Sequence, residues 1–218
     1  MKNINILILA IIISLFSCMK SQIEDSLITS SHLYQATTIT ILSKNPDDND
    51  FAECLQKELK KDLPNLTVIH EDRFRDALFP WFEYRTAPKD AKELSVTLKK
   101  SFIRSQLESI GVEILVYVHG ETSQSNLDGP GFCGGGYGGA GCLGYVSADR
   151  ETHIATTIWN LKEGISLGNT DIHFQGKLRM PMLIIPIPIP AFTEGAACSE
   201  TAMRISDRLK NNNPLEDK

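Results

Sequence analysis

The sequence predicts an α+β fold: a mixed β-sheet covered by about three helices in the order β-α-β-α-β-β-β-α. Two strand-then-helix steps in the first half lead to this reading. So do two alternating segments around a short turn in the second half, and a closing amphipathic helix. Two βα steps followed by a hairpin fit α+β better than a doubly wound parallel sheet.

The first step opens at Ala36 to Leu42 (ATTITIL), which is β-branched and alternating, as a strand requires. NPDDND then makes a turn, with Asp50 placed to cap a helix and Glu53 three residues on in the manner of a capping box. Phe51, Leu55, Leu59 and Leu63 recur every four residues, one helical face, which stops at Pro64-Asn65. Leu66 to Ile69 makes the next strand. Arg73 to Asp90 (RFRDALFPWFEYRTAPKD) is aromatic-rich, with two prolines and no steady period, and reads as a long loop with a short helical turn. Ser95 starts a second helix with Leu98, Phe102, Leu107 and Ile110 inward and Gly111 at its end. Val112 to Val118 (VEILVYV) is the most apolar strand candidate and is expected to be central.

Thr152 to Leu161 alternates, Lys162-Glu163-Gly164 turns, and Ser166 to Gln175 returns as a hairpin partner. Thr193 opens the last helix, with Cys198, Ala202, Ile205 and Leu209 on one face. Two insertions interrupt this order, a glycine-rich stretch at 129–144 and a Pro-Ile stretch at 179–192.

The N-terminus sets a cellular address. Lys2 is followed by an apolar run from Ile6 to Phe16 broken only by Ser14. A membrane-spanning helix needs about twenty such residues, so the run fits the core of a signal peptide. It ends in Leu15-Phe16-Ser17-Cys18, which resembles the bacterial lipobox. The resemblance implies cleavage after residue 17 and lipidation of Cys18. Each buried methylene contributes about 0.8 kcal/mol and one acyl chain anchors only marginally, but several hold a protein on a membrane. Met19 after the cysteine, where an Asp would imply inner-membrane retention, implies the outer membrane, facing the periplasm. The alternative is an ordinary secretory signal. Residues 18–35 are polar and aperiodic and read as a lipidated tether to a single domain over 36–210, with a frayed tail at 211–218.

The run SQLESIGVEILVYVHGETS, followed by THIATTIWNLKEGISLGN, resembles the domain shared by the TolB N-terminal region, CsgG and LpoB. In that group a helix ends at a Gly-Ala or Gly-Val step before a strand. Ile110-Gly111-Val112-Glu113-Ile114-Leu115-Val116 and Ile158-Trp159-Asn160-Leu161 occupy the matching places. The resemblance implies an envelope-associated α+β domain over about Ala36 to Leu209. The two insertions depart from the group's pattern.

Chemistry is sparse. The chain carries a net charge of −5, and losing the signal removes Lys2 as well. With no basic run beyond Lys60-Lys61 and Lys99-Lys100, nucleic acid is not an expected partner. Gly129-x-Gly131-x-x-Gly134 formally matches a dinucleotide fingerprint, but neither the preceding strand nor the helix that such a site needs is present, so no cofactor is expected. The histidines show no ligand spacing, and Cys133 and Cys142 lack the short step of structural zinc, so no metal is expected. His153 and His173 fall on the two strands of the predicted hairpin, where they face one another or take polar partners.

A hydrolase needs a nucleophile, a base and an orienting group. Cys142 with His119 and Asp149 is the candidate set, although an oxidising compartment consumes free thiols and no Gly-x-Ser-x-Gly elbow is present.

Setting Cys18 aside leaves four cysteines in a disulfide-permissive compartment, with three possible connectivities. Cys54 and Cys198 fall on inward faces of two helices, which favours Cys54–Cys198 with Cys133–Cys142. Alternatively, the helical pair are small buried apolar residues. A staple between Cys133 and Cys142 would close a loop within Gly129–Cys142, a segment holding eight of the fifteen glycines, with Phe132 and Tyr137 folding back on the domain. Pro186, Pro188 and Pro190 bar IPIPIP from a central strand and from a CsgG-like membrane-crossing strand. Ile185, Ile187 and Ile189 then either bind a partner or pack on their own domain. The sequence therefore predicts a periplasm-facing, lipid-anchored, non-catalytic binding or assembly module with a protein or envelope-component partner. The alternative is a lipid-anchored cysteine or serine hydrolase.

Overall fold

The computed structural model describes residues 20–27, 38–136, 139–186 and 188–211. The signal segment 1–17, Cys18, Tyr137, Ile187 and the tail from 212 lie outside the described residues.

The fold is α+β. Seven strands, β1 (Lys20–Leu27), β2 (Thr38–Ser43), β3 (Thr67–Ile69), β4 (Ile114–Gln124), β5 (Gly131–Gly136), β6 (Gly139–Asn160) and β7 (Ile165–Pro186), form one open mixed sheet. Five helices accompany it: α1 (Asn49–Asp62), α2 (Glu71–Ala77), α3 (Ala91–Leu98), α4 (Ser101–Ile110) and α5 (Thr193–Asn211). The strand order is β1-β7-β6-β4-β2-β3, and β5 pairs with β6 off this path. β2 runs parallel to both neighbours, with Ile39 opposite Val68 on one side and Ile114 on the other.

Five expectations change. The tether read over 18–35 contains β1, a polar strand with one apolar residue in six from Lys20 to Asp25, ordered by its pairing with β7. The loop from Arg73 overlaps α2, which His70 caps by accepting from the Asp72 amide. The helix expected from Ser95 is two helices, and Phe102 is 51% exposed while Ile103 is fully buried in its place. Asp50 does not open α1. A 3-10 turn at Pro46–Asp48 leads into it, with the Asn45 amide donating to Asp48 Oδ2 at 2.9 Å. The two insertions are largely strand, so β6 and β7 extend well beyond the predicted 152–161 and 166–175.

The chain forms two compact units. The core unit holds residues 23–121, 153–172 and 195–218; the hairpin unit holds 122–152 and 173–194 with the N-terminal stretch through Gln22. The core unit buries Leu42, Phe74, Phe82, Leu94, Ile103 and Leu115 in one cluster. A disulfide joins Cys54 on α1 to Cys198 on α5 within it. Gly111 closes α4 in the left-handed conformation, with its amide donating to the Leu107 carbonyl, as expected.

Candidate functional site

The hairpin unit carries the least conventional surface. β5 runs antiparallel to the start of β6, with Phe132 opposite Leu143, Cys133 opposite Cys142 and Gly134 opposite Gly141. Directly opposed residues project to the same face and successive ones alternate. Phe132 and Leu143 therefore share one face, and the Cys133–Cys142 disulfide lies on the other with Cα atoms 4.0 Å apart.

What sequence reasoning took for a loop is thus a stapled β-hairpin. Phe132 does not fold back onto the domain: it is 68% exposed, and Leu143 is 58% exposed. Tyr145, two residues on, is exposed as well.

The glycines thin the ribbon, and one is obligatory. Gly144 adopts a φ of 127°, and a Cβ there would lie 2.2 Å from the Pro130 carbonyl oxygen. At the base, paired amide–carbonyl bonds link Asp128 and Ser147, and Val146 and Met182 side chains pack on the backbone of Gly131. Phe132 and Leu143 therefore stand beside an ordered base.

The Pro-Ile segment lies in the same unit. Ile185 is part of β7, and Ile189 pairs with Arg179 through two backbone hydrogen bonds of 3.1 and 2.7 Å, so the chain reverses between them. Ile189 is half-buried, while Phe192 is 73% exposed. From Gly129 to Ala148, and again from Met180 to Thr193, no residue is charged. Sequence reasoning missed this coincidence because the two stretches are far apart in the chain.

The C-terminal edge of the parallel strands, where open α/β sheets commonly hold ligands, is filled by the core unit's own side chains. Ser43 Oγ lies 2.7 Å from both Asn49 Oδ1 and Glu71 Oε1. The buried Arg75 donates to Glu71 Oε1 at 2.7 Å and to the Ser43 carbonyl at 2.7 Å, donates to the Phe82 carbonyl, and stacks on the Tyr84 ring. Burial pushes the Tyr117 hydroxyl up to about 12, with Arg75 lowering and Glu71 raising it by smaller amounts. This network ties Phe82 and Tyr84 to α2 and the end of β2. Elsewhere in the core unit a groove of about 680 Å³ sets Lys99, Arg104 and Lys162 among Glu108, Glu113 and Glu163. Its charges balance, so it favours neither sign of ligand.

The hydrolase constellation is not assembled. Cys142 is bonded to Cys133, His119 Nδ1 lies 3.1 Å from Asp48 Oδ2, and Asp149 Oδ1 lies 3.6 Å from Lys177 Nζ. His153 Nε2 contacts Asp171 at 2.6 Å and His173 contacts Glu151 at 3.6 Å, each a carboxylate partner.

No family model and no curated protein matches the chain. Among solved structures, the PelC dodecamer from Paraburkholderia phytofirmans is 9% identical, covering 87% of this chain and 96% of that one, with a TM-score of 0.40. A hemagglutinin homologue from Helicobacter pylori is 10% identical over 86% and 93%, with a TM-score of 0.38. A PDZ domain protein from Parabacteroides distasonis covers 88% of this chain and 37% of that one at 5% identity and a TM-score of 0.36. Likenesses this loose carry no argument about function.

Proposed function

We propose that the chain is a lipid-anchored envelope protein, facing the periplasm from the outer membrane, that acts as a non-catalytic binding or assembly module through its hairpin unit. The observation that carries the reading is the exposed Phe132–Leu143 pair on a disulfide-bonded, charge-free hairpin. Glycine-rich strands are costly to order, and an exposed apolar patch on an ordered support marks a contact surface. The lipobox-like LFSC and two disulfide pairs are compatible with an oxidising envelope compartment. The likeness to the TolB, CsgG and LpoB group belongs to the same reading. Of the Pro-Ile candidates, Ile185, Ile187 and Ile189, the half-buried Ile189 contributes less to such a surface than Phe192.

Photocrosslinking in intact cells tests the proposal. A photoreactive residue at Phe132 should give a discrete adduct that the same group at the exposed Lys57 of α1 does not give. Equal labelling at both positions would sink the reading.

A further inference from the structure

The hairpin unit holds two charge-free stretches, and the chain's proposed lipid attachment leads into that same unit. Lys20 to Gln22, the start of β1, belongs to it. Cys18 lies two positions before Lys20, a reach of at most about 7 Å for a fully extended chain. The polar segment expected to act as a long tether contains the paired strand β1, fastened by Asp25, which accepts from Arg204 at 2.9 Å and Arg208 at 2.8 Å. Acyl chains on Cys18 would therefore hold the bilayer surface within one short reach of Lys20, in the hairpin unit.

We infer that the ribbon face bearing Phe132 and Leu143 seats in the surface of the bilayer that holds the Cys18 acyl chains. The inference rests on the lipid-anchored reading and names the partner of that contact surface. The chemistry selects lipid. A charge carried into hydrocarbon is costly, and the stretch from Gly129 to Ala148 carries none. Phe132 and Leu143 present apolar side chains, and Tyr145 sits where an amphipathic ring suits the headgroup boundary. Glycines on both sides keep the ribbon narrow, and the hairpin pairs the backbone amides and carbonyls between β5 and β6, which an apolar medium demands. Both apolar faces of the ribbon argue for shallow seating over a water-filled barrel, whose strands alternate apolar and polar.

The test places a tryptophan on that face. Acylated, full-length mature protein carrying Phe132→Trp, and separately Leu143→Trp, is reconstituted into phosphatidylethanolamine–phosphatidylglycerol vesicles with brominated acyl chains. The native Trp81 and Trp159 lie in the core unit, and Trp159 is 3% exposed, so the unsubstituted protein supplies the background. The added tryptophan should shift to the blue and lose most of its emission to bromine, while the background emission stays unchanged. Quenching at either position upholds the seating; quenching at neither overturns it. Mass spectrometry of the N-terminal peptide separates the two readings. An acylated protein with an unquenched added tryptophan overturns the seating alone, and an unacylated protein with an unquenched one overturns both. A quenched added tryptophan without acyl mass upholds the seating and overturns the anchor. A photocrosslink from position 132 to a protein, with no quenching, would assign the face to a protein partner and overturn the inference.

Discussion

Cys54 of α1 and Cys198 of α5, 144 residues apart in sequence, are joined with their Cα atoms 6.4 Å apart. Cys198 is fully buried, and its neighbours on the helix face, Ala202 and Ile205, are buried with it. The bond closes most of the domain into one loop, with the first helix and the last as its ends.

A crosslink over that length restricts the unfolded chain by up to about 5 kcal/mol on chain-entropy grounds. Cys54→Ala with Cys198→Ala should therefore lose a few kcal/mol in urea unfolding, and reductant should destabilise the unsubstituted protein by a similar amount. Were the two cysteines only small apolar residues, reductant would leave the midpoint unmoved. That result would reject the pairing.

Gly120 of β4 lies against the Phe51 ring so closely that an added Cβ would sit 2.3 Å from Phe51 Cδ2. Gly120→Ala should cost about 1–3 kcal/mol, as overpacking does. Adding Phe51→Ala should return part of that loss, because the two residues couple through one contact. Additive effects in the double-mutant cycle would disprove the clash.

Much of the core unit was legible because its elements carry their own period. Leu55 and Leu59 on α1, Ile39 and Ile41 on β2, and Leu115 and Val116 on β4 are all buried as the pattern requires. The misses are elements held by distant partners. β1 has little apolar content and is ordered by β7 and by Arg204 and Arg208 reaching Asp25. α2 carries the buried Arg75, whose partners Ser43 and Phe82 lie on other segments. The glycines of β5 speak against a strand locally, and only the pairing of Cys133 with Cys142 fixes the register that puts Phe132 opposite Leu143. The cysteines gave the signal for that exposed pair, since residues flanking two bonded cysteines in a hairpin must oppose each other.

Tyr117 gives a pH dependence with a definite sign. Its folded-state value is pushed up from 10.0 to about 12 by burial, and its hydroxyl oxygen is buried without a hydrogen-bond partner among the described residues. The unfolded chain thus loses this proton first as pH rises. The stabilising contribution is fully present below about pH 10 and is lost as pH climbs toward 12, at up to about 1.4 kcal/mol per pH unit. Unfolding midpoints should fall across that window, and Tyr117→Phe should flatten the fall. The variant should also match or exceed the parent at neutral pH, because it removes an unpaired buried hydroxyl. Equal alkaline slopes for parent and variant would remove Tyr117 as the cause.

The last prediction concerns the hairpin itself. Each glycine in a strand costs roughly 0.5–1 kcal/mol relative to alanine, and β5 contributes Gly131, Gly134, Gly135 and Gly136 to the pairing. Closing the short loop between Cys133 and Cys142 offsets up to about 2.7 kcal/mol of that cost by restricting the open form. The gain is local, because the crosslink joins neighbours in one ribbon. Cys133→Ser with Cys142→Ser should leave the unfolding of the core unit nearly unchanged, since its own disulfide and apolar cluster are untouched. Hydrogen exchange should instead accelerate at the amides of Phe132 to Gly135, and thermolysin should cut beside Phe132 and Leu143 in the variant but not in the oxidised parent. The base, held by the Asp128–Ser147 backbone pair, should keep its protection in both. If the amides of Phe132 to Gly135 stay protected without the bond, backbone pairing alone orders the hairpin, and the disulfide is not what presents Phe132 and Leu143 to their partner.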